Sequence, residues 1–123
     1  MELGDPGASR AFLNDRVLNG SKRATAGLLS EYVEENEPWE HVGEHLVLVD
    51  DHLNALGLIE VTRVEATTFA EVTWDFAQAE GEGFTDLEDW RKSHLEFWAR
   101  SGQHVADDTP LMCLYFELLG PAA

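Results

Sequence analysis

The chain reads as an α+β domain, with helices around a small mixed or antiparallel sheet. Three observations predict it. In "TDLEDWRKSHLEFWARSG", Leu87, Trp90, His94 or Leu95, and Trp98 recur at helical spacing. The stretch "HLVLVDDHLNALGLIEVTRVEATTF" reads as two extended runs joined by a polar turn. The run "PLMCLYFELL" near the end is an apolar strand. At 123 residues, one domain spanning 1–123 is expected, large enough to bury a real core.

The elements follow in order. "SRAFLNDRVLNG" predicts a short amphipathic helix that Ser9 caps and Gly20 ends, with Phe12, Leu13, Arg16 and Val17 near one face. "TAGLLSEYVEEN" predicts a second helix, with Thr25 or a neighbour at its N-terminus. Leu28, Leu29 and Tyr32 would face inward, and Pro38 ends the segment. A β-hairpin comes next: His45 to Val49, the turn "DDHLN", then Ala55 to about Ala66. On the second strand Leu56, Leu58, Glu60, Thr62 and Val64 share one face, and Ile59 and Val61 lie on the other. "FAEVTWDFAQAEGEG" predicts a short helix ended by Gly81. The long helix after it opens on a capping box of Thr85 and Glu88, and Gly102 follows its end.

Charge restricts function. Asp and Glu number 24 against 8 Lys and Arg, a formal net charge of −16. Binding to nucleic acid through phosphates rests on Lys and Arg contacts that release counterions, and the field of this chain repels a polyanion. Tight DNA or RNA binding is therefore not expected; a small ligand, a single nucleoside or a weak local RNA contact is. Cys113 is the one cysteine, so no intrachain disulfide forms and a reducing cytoplasm is the simplest setting. "MELGDPGASR" has no apolar h-region, so no signal peptide is expected. No apolar run approaches the roughly 20 residues of a membrane span.

Four groups of residues stand out. "HVGEH", His41 to His45, has the H-x-x-E-H spacing of inverted zinc peptidases. That spacing needs a helix, but Gly43 lies within it and a strand follows. On a strand His41 and His45 would stand roughly 13 Å apart. Loop histidines are the expected reading, and neither a metal nor another cofactor is predicted. Lys22 and Thr25 form the second group. A threonine hydroxyl is a weak nucleophile that needs a base, and a buried lysine can supply one. A helix N-terminus beside them would also offer N–H groups to an oxyanion. The plain alternative is a solvated Lys22 and an N-cap Thr25. Third is "AEGEG", where glycines beside Glu80 and Glu82 allow close backbone approach to a cation, a lysine or a substrate amine; the alternative is a solvated loop. Trp39 and Trp74, near element ends, are the last group. They could stack on a base or simply pack, whereas Trp90 and Trp98 fit the core face of the last helix.

Together, "NGSKRATAGLLSEY", "FAEVTWDFAQAEGEGFTDLEDWRKSHLEFW" and "PLMCLYFELL" resemble the ASCH family in order and spacing over nearly the whole chain. The resemblance implies a PUA-like small β-barrel and an association with RNA. A related compact branch hydrolyses N4-acetylcytidine to acetate and cytidine. On that resemblance Thr25 is the nucleophile, Lys22 its base and Glu80 the glutamate of the site. From the residues themselves, Arg23, Glu82, Trp74 and Trp39 are the candidates to bind substrate. Replacing Thr25 or Lys22 with Ala, or Glu80 with Gln, is then expected to abolish deacylation with the fold intact. The chain departs from that branch in a longer last helix and more tryptophan. Two other readings accompany the hydrolase: a non-catalytic RNA-binding module, and a ribonuclease acting on single-stranded RNA with Lys22, Glu80 and His94 as acid–base groups.

Overall fold

The strands β1 (Ala24–Leu28), β2 (His45–Val49), β3 (Ala55–Thr68) and β4 (Pro110–Pro121) pair into one antiparallel sheet in the order β1-β4-β3-β2. The computed structural model describes residues 1–121. The sheet curls into a half-barrel, flanked by helices. β4 lies between β1 and β3, and Leu111 to Leu114 are all buried. A strand covered on both faces explains why "LMCL" is continuously apolar rather than alternating.

The segment expected to be one helix from Thr25 is split. Residues 24–28 form β1, and α2 covers only Leu29–Glu34. Gly27 is a poor helix former and Thr25 is β-branched, so local helix preference is weak. Pairing with β4, from Ala24↔Tyr115 to Leu28↔Leu111, decides the outcome and buries Ala24 and Leu28. Thr25 therefore sits on an edge strand. The nearest helix in sequence, α2, begins only at Leu29, so Thr25 is not its N-cap.

The hairpin forms as expected, with Val49 opposite Ala55 and His45 opposite Glu60, and β3 runs on to Thr68. Ile59 and Val61 face the core. The expected face holds from Leu56 to Glu60 and breaks at Thr62, which stands out of register as the pairing passes from Val61↔Phe116 to Arg63↔Tyr115; the other shift, beside Leu58 and Ile59, leaves out Leu119 on β4. The extra residue on β3 resets its alternation.

Helix α1 spans Ala8–Leu18, with Gly7 and not Ser9 at its N-cap. Its buried residues are Arg10, Asn14 and Val17, while Phe12 is exposed. Arg10 donates to the carbonyls of Leu3 and Gly4 and to the Asp51 carboxylate, which ties residues 3–4 down beside the helix. A 3₁₀ turn at Phe69–Glu71 precedes α3 (Trp74–Ala79), capped by the Thr73 hydroxyl. Gly81, with φ 66°, follows the end of α3. Helix α4 covers Leu87–Arg100. Its N-cap is Asp86 rather than Thr85: Asp86 accepts from the Asp89 N–H, and the Asp89 carboxylate accepts from the Thr85 N–H. The expected box is thus shifted by one residue, and Glu88 pairs with Arg91.

Two apolar clusters fill the interior. Phe69, Phe76, Trp90 and Trp98 join Leu28, Leu111 and Cys113 in one; Leu3, Val17, Leu48, Ile59 and Phe116 form the other. Among the described residues no helix is long and apolar enough to cross a membrane.

Candidate active site

A cleft of about 410 Å³ opens between α1, residues 2–4, β1, the "AEGEG" loop and α4. Lys22, Thr25, Glu80, Glu82 and His94 all line it. The two sequence segments meet because Gly81 packs against the Ser21–Lys22 backbone. A Cβ there would stand 2.0 Å from the Ser21 carbonyl oxygen. The Arg23 N–H also donates to the Ala79 carbonyl at 2.7 Å, and Lys22 N–H donates to the Arg16 carbonyl at 2.9 Å.

Lys22 is 2% exposed, so it is not the solvated residue of the plain alternative. Its Nζ donates to the Ala24 carbonyl at 2.8 Å, to Glu80 Oε2 at 3.2 Å and to Glu82 Oε2 at 2.9 Å. Three acceptors match the three N–H donors of an ammonium. The Thr25 hydroxyl lines the same cleft but is not hydrogen-bonded to Lys22 among the described residues.

Glu80 is 1% exposed. Besides Lys22, its Oε1 accepts from Trp90 Nε1 at 2.5 Å and stands 3.2 Å from His94 Nε2. The other ring nitrogen, His94 Nδ1, is 2.9 Å from the Trp90 carbonyl. A carbonyl only accepts, so Nδ1 carries a proton; an ionised carboxylate only accepts, so Nε2 carries one too. Both ring nitrogens of His94 thus face acceptors, an arrangement that favours the imidazolium, and the ring stacks on Trp90 with centroids 4.1 Å apart. Lys22 and, when protonated, His94 set two positive charges against the carboxyl groups of Glu80 and Glu82.

Titration follows from these contacts. Burial alone would raise the Glu80 carboxyl, but the Lys22 ammonium, His94 and the Trp90 N–H together hold it well below its usual range. Burial raises Glu82, and Glu80 beside it adds to this; Lys22 opposes without prevailing. Burial would lower His94, yet its contact with Glu80, the Trp90 carbonyl and Glu82 keep its pKa raised. Cys113 is pushed up to about 12 by burial and by Glu80, and stays a thiol.

Glu80, Glu82 and His94 place potential ligand atoms within 4.8 Å of one another. The Lys22 ammonium already bonds both carboxylates, so the cation of this cluster is the lysine. The "HVGEH" histidines lie elsewhere. His41 is in a loop against Glu44, and His45 begins β2 against Glu60.

The other residues expected to bind substrate stand apart from the cleft lining. Arg23 is exposed, Trp39 is 53% exposed, and Trp74 packs on the larger apolar cluster. What the sequence reading missed is the pairing of Trp90 and His94 on Glu80. Helical spacing puts both on the core face of α4, and the sequence gives His94 a chemical role only in the ribonuclease reading. Their i, i+4 spacing in "WRKSH", directly after the acidic loop, is the signal that carries it.

Comparison with known proteins agrees with this architecture. The family model for the ASCH domain matches residues 1–120. No curated protein matches the chain. A crystal structure of a protein from Enterococcus faecalis superposes with a TM-score of 0.86 at 29% identity, covering 98% of this chain and 75% of that one. An ASCH domain structure from Lactobacillus crispatus gives a TM-score of 0.85 at 27% identity, covering 96% of this chain and 77% of the other. The half-barrel sheet, the flanking helices and the match over residues 1–120 make this chain a member of the ASCH domain family, with its PUA-like fold.

Proposed function

We propose that the protein is an amidohydrolase acting on an N4-acetylcytidine-like nucleoside. The observation that carries this reading is Lys22 Nζ, buried between Glu80 and Glu82 in a cleft that Thr25 also lines. Thr25 Oγ attacks the acyl carbon as its proton passes to Lys22, which hands one of its own protons to a carboxylate. The C–N4 bond then breaks, and N4 leaves with a proton returned through Lys22. Water hydrolyses the Thr25 ester, releasing acetate and restoring the hydroxyl. Closing the gap between Thr25 and Lys22 is the work of the bound substrate, since catalytic hydrogen bonds often tighten only in the Michaelis complex.

The cleft also favours an uncharged ligand. Glu2, Glu31 and Glu96 join Glu80 and Glu82 along it, Lys22 is fully bonded, and Arg100 is paired with Asp5. No free cation there meets a phosphate among the described residues. This weighs against the RNA-binding and ribonuclease readings.

The test is incubation with N4-acetylcytidine and, separately, with single-stranded RNA. Release of acetate and cytidine, lost in Thr25→Ala, is the expected result. Full activity in Thr25→Ala would remove the nucleophile assignment. Cleaved RNA would favour the ribonuclease, and salt-sensitive binding without turnover the binding module.

A further inference from the structure

We infer that the backbone N–H of Ala26, on the free edge of β1, is the donor that holds the oxyanion formed when Thr25 attacks an acyl group. Its catalytic meaning rests on the amidohydrolase reading; the direction of the N–H follows from the sheet alone.

In an antiparallel pair, residues alternate. One turns both its N–H and its C=O to the partner strand, and the next turns both away. Two contacts fix this phase for β1. The Phe116 N–H donates to the Arg23 carbonyl at 2.9 Å, so Arg23, just before β1, is bonded to β4. The Ala24 carbonyl instead accepts from Lys22 Nζ at 2.8 Å, so Ala24 faces away from β4. The register from Ala24↔Tyr115 to Leu28↔Leu111 runs without a shift. Thr25 and Gly27, opposite Leu114 and Met112, therefore make the ladder bonds, and Ala26, opposite Cys113, turns its N–H and C=O outward. In the order β1-β4-β3-β2 no strand lies beyond β1. Among the described residues no carbonyl outside the sheet accepts from the Ala26 N–H, and Ala26 lines the cleft beside Thr25. A backbone donor left in such a place needs water or a ligand.

The cations of the cleft are committed before a ligand arrives. Lys22 Nζ has three acceptors and Arg100 is paired with Asp5. An oxyanion beside Thr25 needs a donor with no counter-ion of its own. A strand-edge N–H, fixed by the ladder bonds of Thr25 and Gly27 on either side, meets that need without reorganising. Ala26 carries only a methyl group and Gly27 no side chain, so an acyl group can reach the backbone. The step balances. As Thr25 Oγ bonds the acyl carbon, the C=O π pair moves onto the acyl oxygen, and the Ala26 N–H meets the negative charge. The Thr25 proton passes by way of Lys22 to N4. When the C–N4 bond breaks, the pair on oxygen reforms the C=O bond. Attack of water on the Thr25 ester places a second oxyanion on the same donor.

Amide hydrogen exchange in the unliganded wild type, read by NMR, tests the direction of the N–H and needs no variant to fold. The Thr25 and Gly27 amides should exchange at least about 10-fold more slowly than Ala26, which makes no ladder bond. An Ala26 amide as protected as both neighbours overturns the inference. The catalytic test replaces Ala26 with lactic acid, which puts an ester oxygen in place of the N–H and keeps the methyl group. With N4-acetylcytidine this variant should lose about 100- to 1,000-fold in kcat, with little change in KM. The ester also makes the Thr25 carbonyl a poorer acceptor for β4, so the N4-thioacetyl analogue separates the two effects. Sulfur accepts an N–H poorly, and the oxygen-to-sulfur ratio of kcat should be at least about 10-fold smaller in the variant. A general structural defect slows both substrates alike. An unchanged kcat, or an unchanged ratio, overturns the inference while the amidohydrolase reading stands. Absence of acetate release by the wild type defeats that reading, and the oxyanion role with it.

Discussion

Gly81 and Ser21 touch backbone to backbone, with room for no side-chain carbon between them: a Cβ on Gly81 would lie 2.0 Å from the Ser21 carbonyl oxygen and 2.7 Å from the Lys22 nitrogen. This approach seats the acidic loop on the lysine. Gly81 also has a positive φ of 66°, disfavoured for any L side chain. Gly81→Ala should destabilise the fold by about 2–5 kcal/mol, from overpacking and left-handed strain together. Urea unfolding measures the loss. A variant as stable as the wild type would mean the two loops separate at little cost.

Removing Lys22 should harm the fold as well as the chemistry. Two carboxylates would remain buried without their cation, and breaking a buried pair costs about 3–5 kcal/mol. The same holds in kind for Glu80→Gln, which strands the Lys22 and His94 charges. The expectation that Lys22→Ala and Glu80→Gln leave the fold intact therefore gives way. The double variant Lys22→Met with Glu80→Gln should recover part of the stability lost by Lys22→Met alone. Strictly additive losses would show that the pair is not coupled. Thr25→Ala, on an edge strand, is the cleaner activity test.

Trp90→Phe keeps an aromatic ring among Phe69, Phe76 and His94 but deletes the N–H donated to Glu80. The cost should be about 1–3 kcal/mol for a weakened buried carboxylate site. The Glu80 carboxyl should titrate at a higher pH in the variant. Thermal or urea unfolding together with NMR separates this from a packing defect, which would leave the titration in place.

Stability should fall as pH rises past neutrality. His94 is raised above 6.5 in the folded chain, so its contribution is complete below 6.5 and is lost as pH climbs through the folded value. Glu82, raised above 4.5, acts in the same direction from its ordinary value upward, while the lowered Glu80 costs stability only when pH falls below 4.5. Melting temperature measured across this range should decline on the alkaline side, and His94→Gln should flatten that part of the curve. An unchanged slope in the variant would show that His94 is not the group responsible.

Phosphate should be penalised. The 5′-monophosphate of N4-acetylcytidine is expected to react with kcat/KM at least about 10-fold below that of the nucleoside, because the acidic cleft repels it. Added salt should narrow the gap by screening. Equal rates for both at low salt would mean that the phosphate lies outside the field of the cleft.

Some of this was written locally in the chain. The 3.6-residue rhythm of Leu87, Trp90, His94 and Trp98 determines α4 because one apolar stripe must face inward whatever lies opposite. The hairpin from His45 to Thr68 and the apolar run of β4 are similarly self-declaring. "AEGEG" marked itself by glycines that permit close approach, and Lys22 by its rarity in so acidic a chain. The tertiary structure decided the rest. Ala24–Leu28 became a strand because β4, almost 90 residues later, offered hydrogen bonds and an apolar face that outweighed weak helix preference. Asp86 took the cap from Thr85 through the way the loop enters α4, and the bulge of β3 at Thr62 reset the face that alternation assigned beyond it. Above all, the protonation of the site belongs to distance. Lys22, Glu80, Glu82 and His94 lie on segments up to 72 positions apart, and each alone is an ordinary charged residue. Only when Gly81 meets Ser21 do they share a low-dielectric pocket, where a difference in hydrogen-bond donors determines which carboxylate holds its charge.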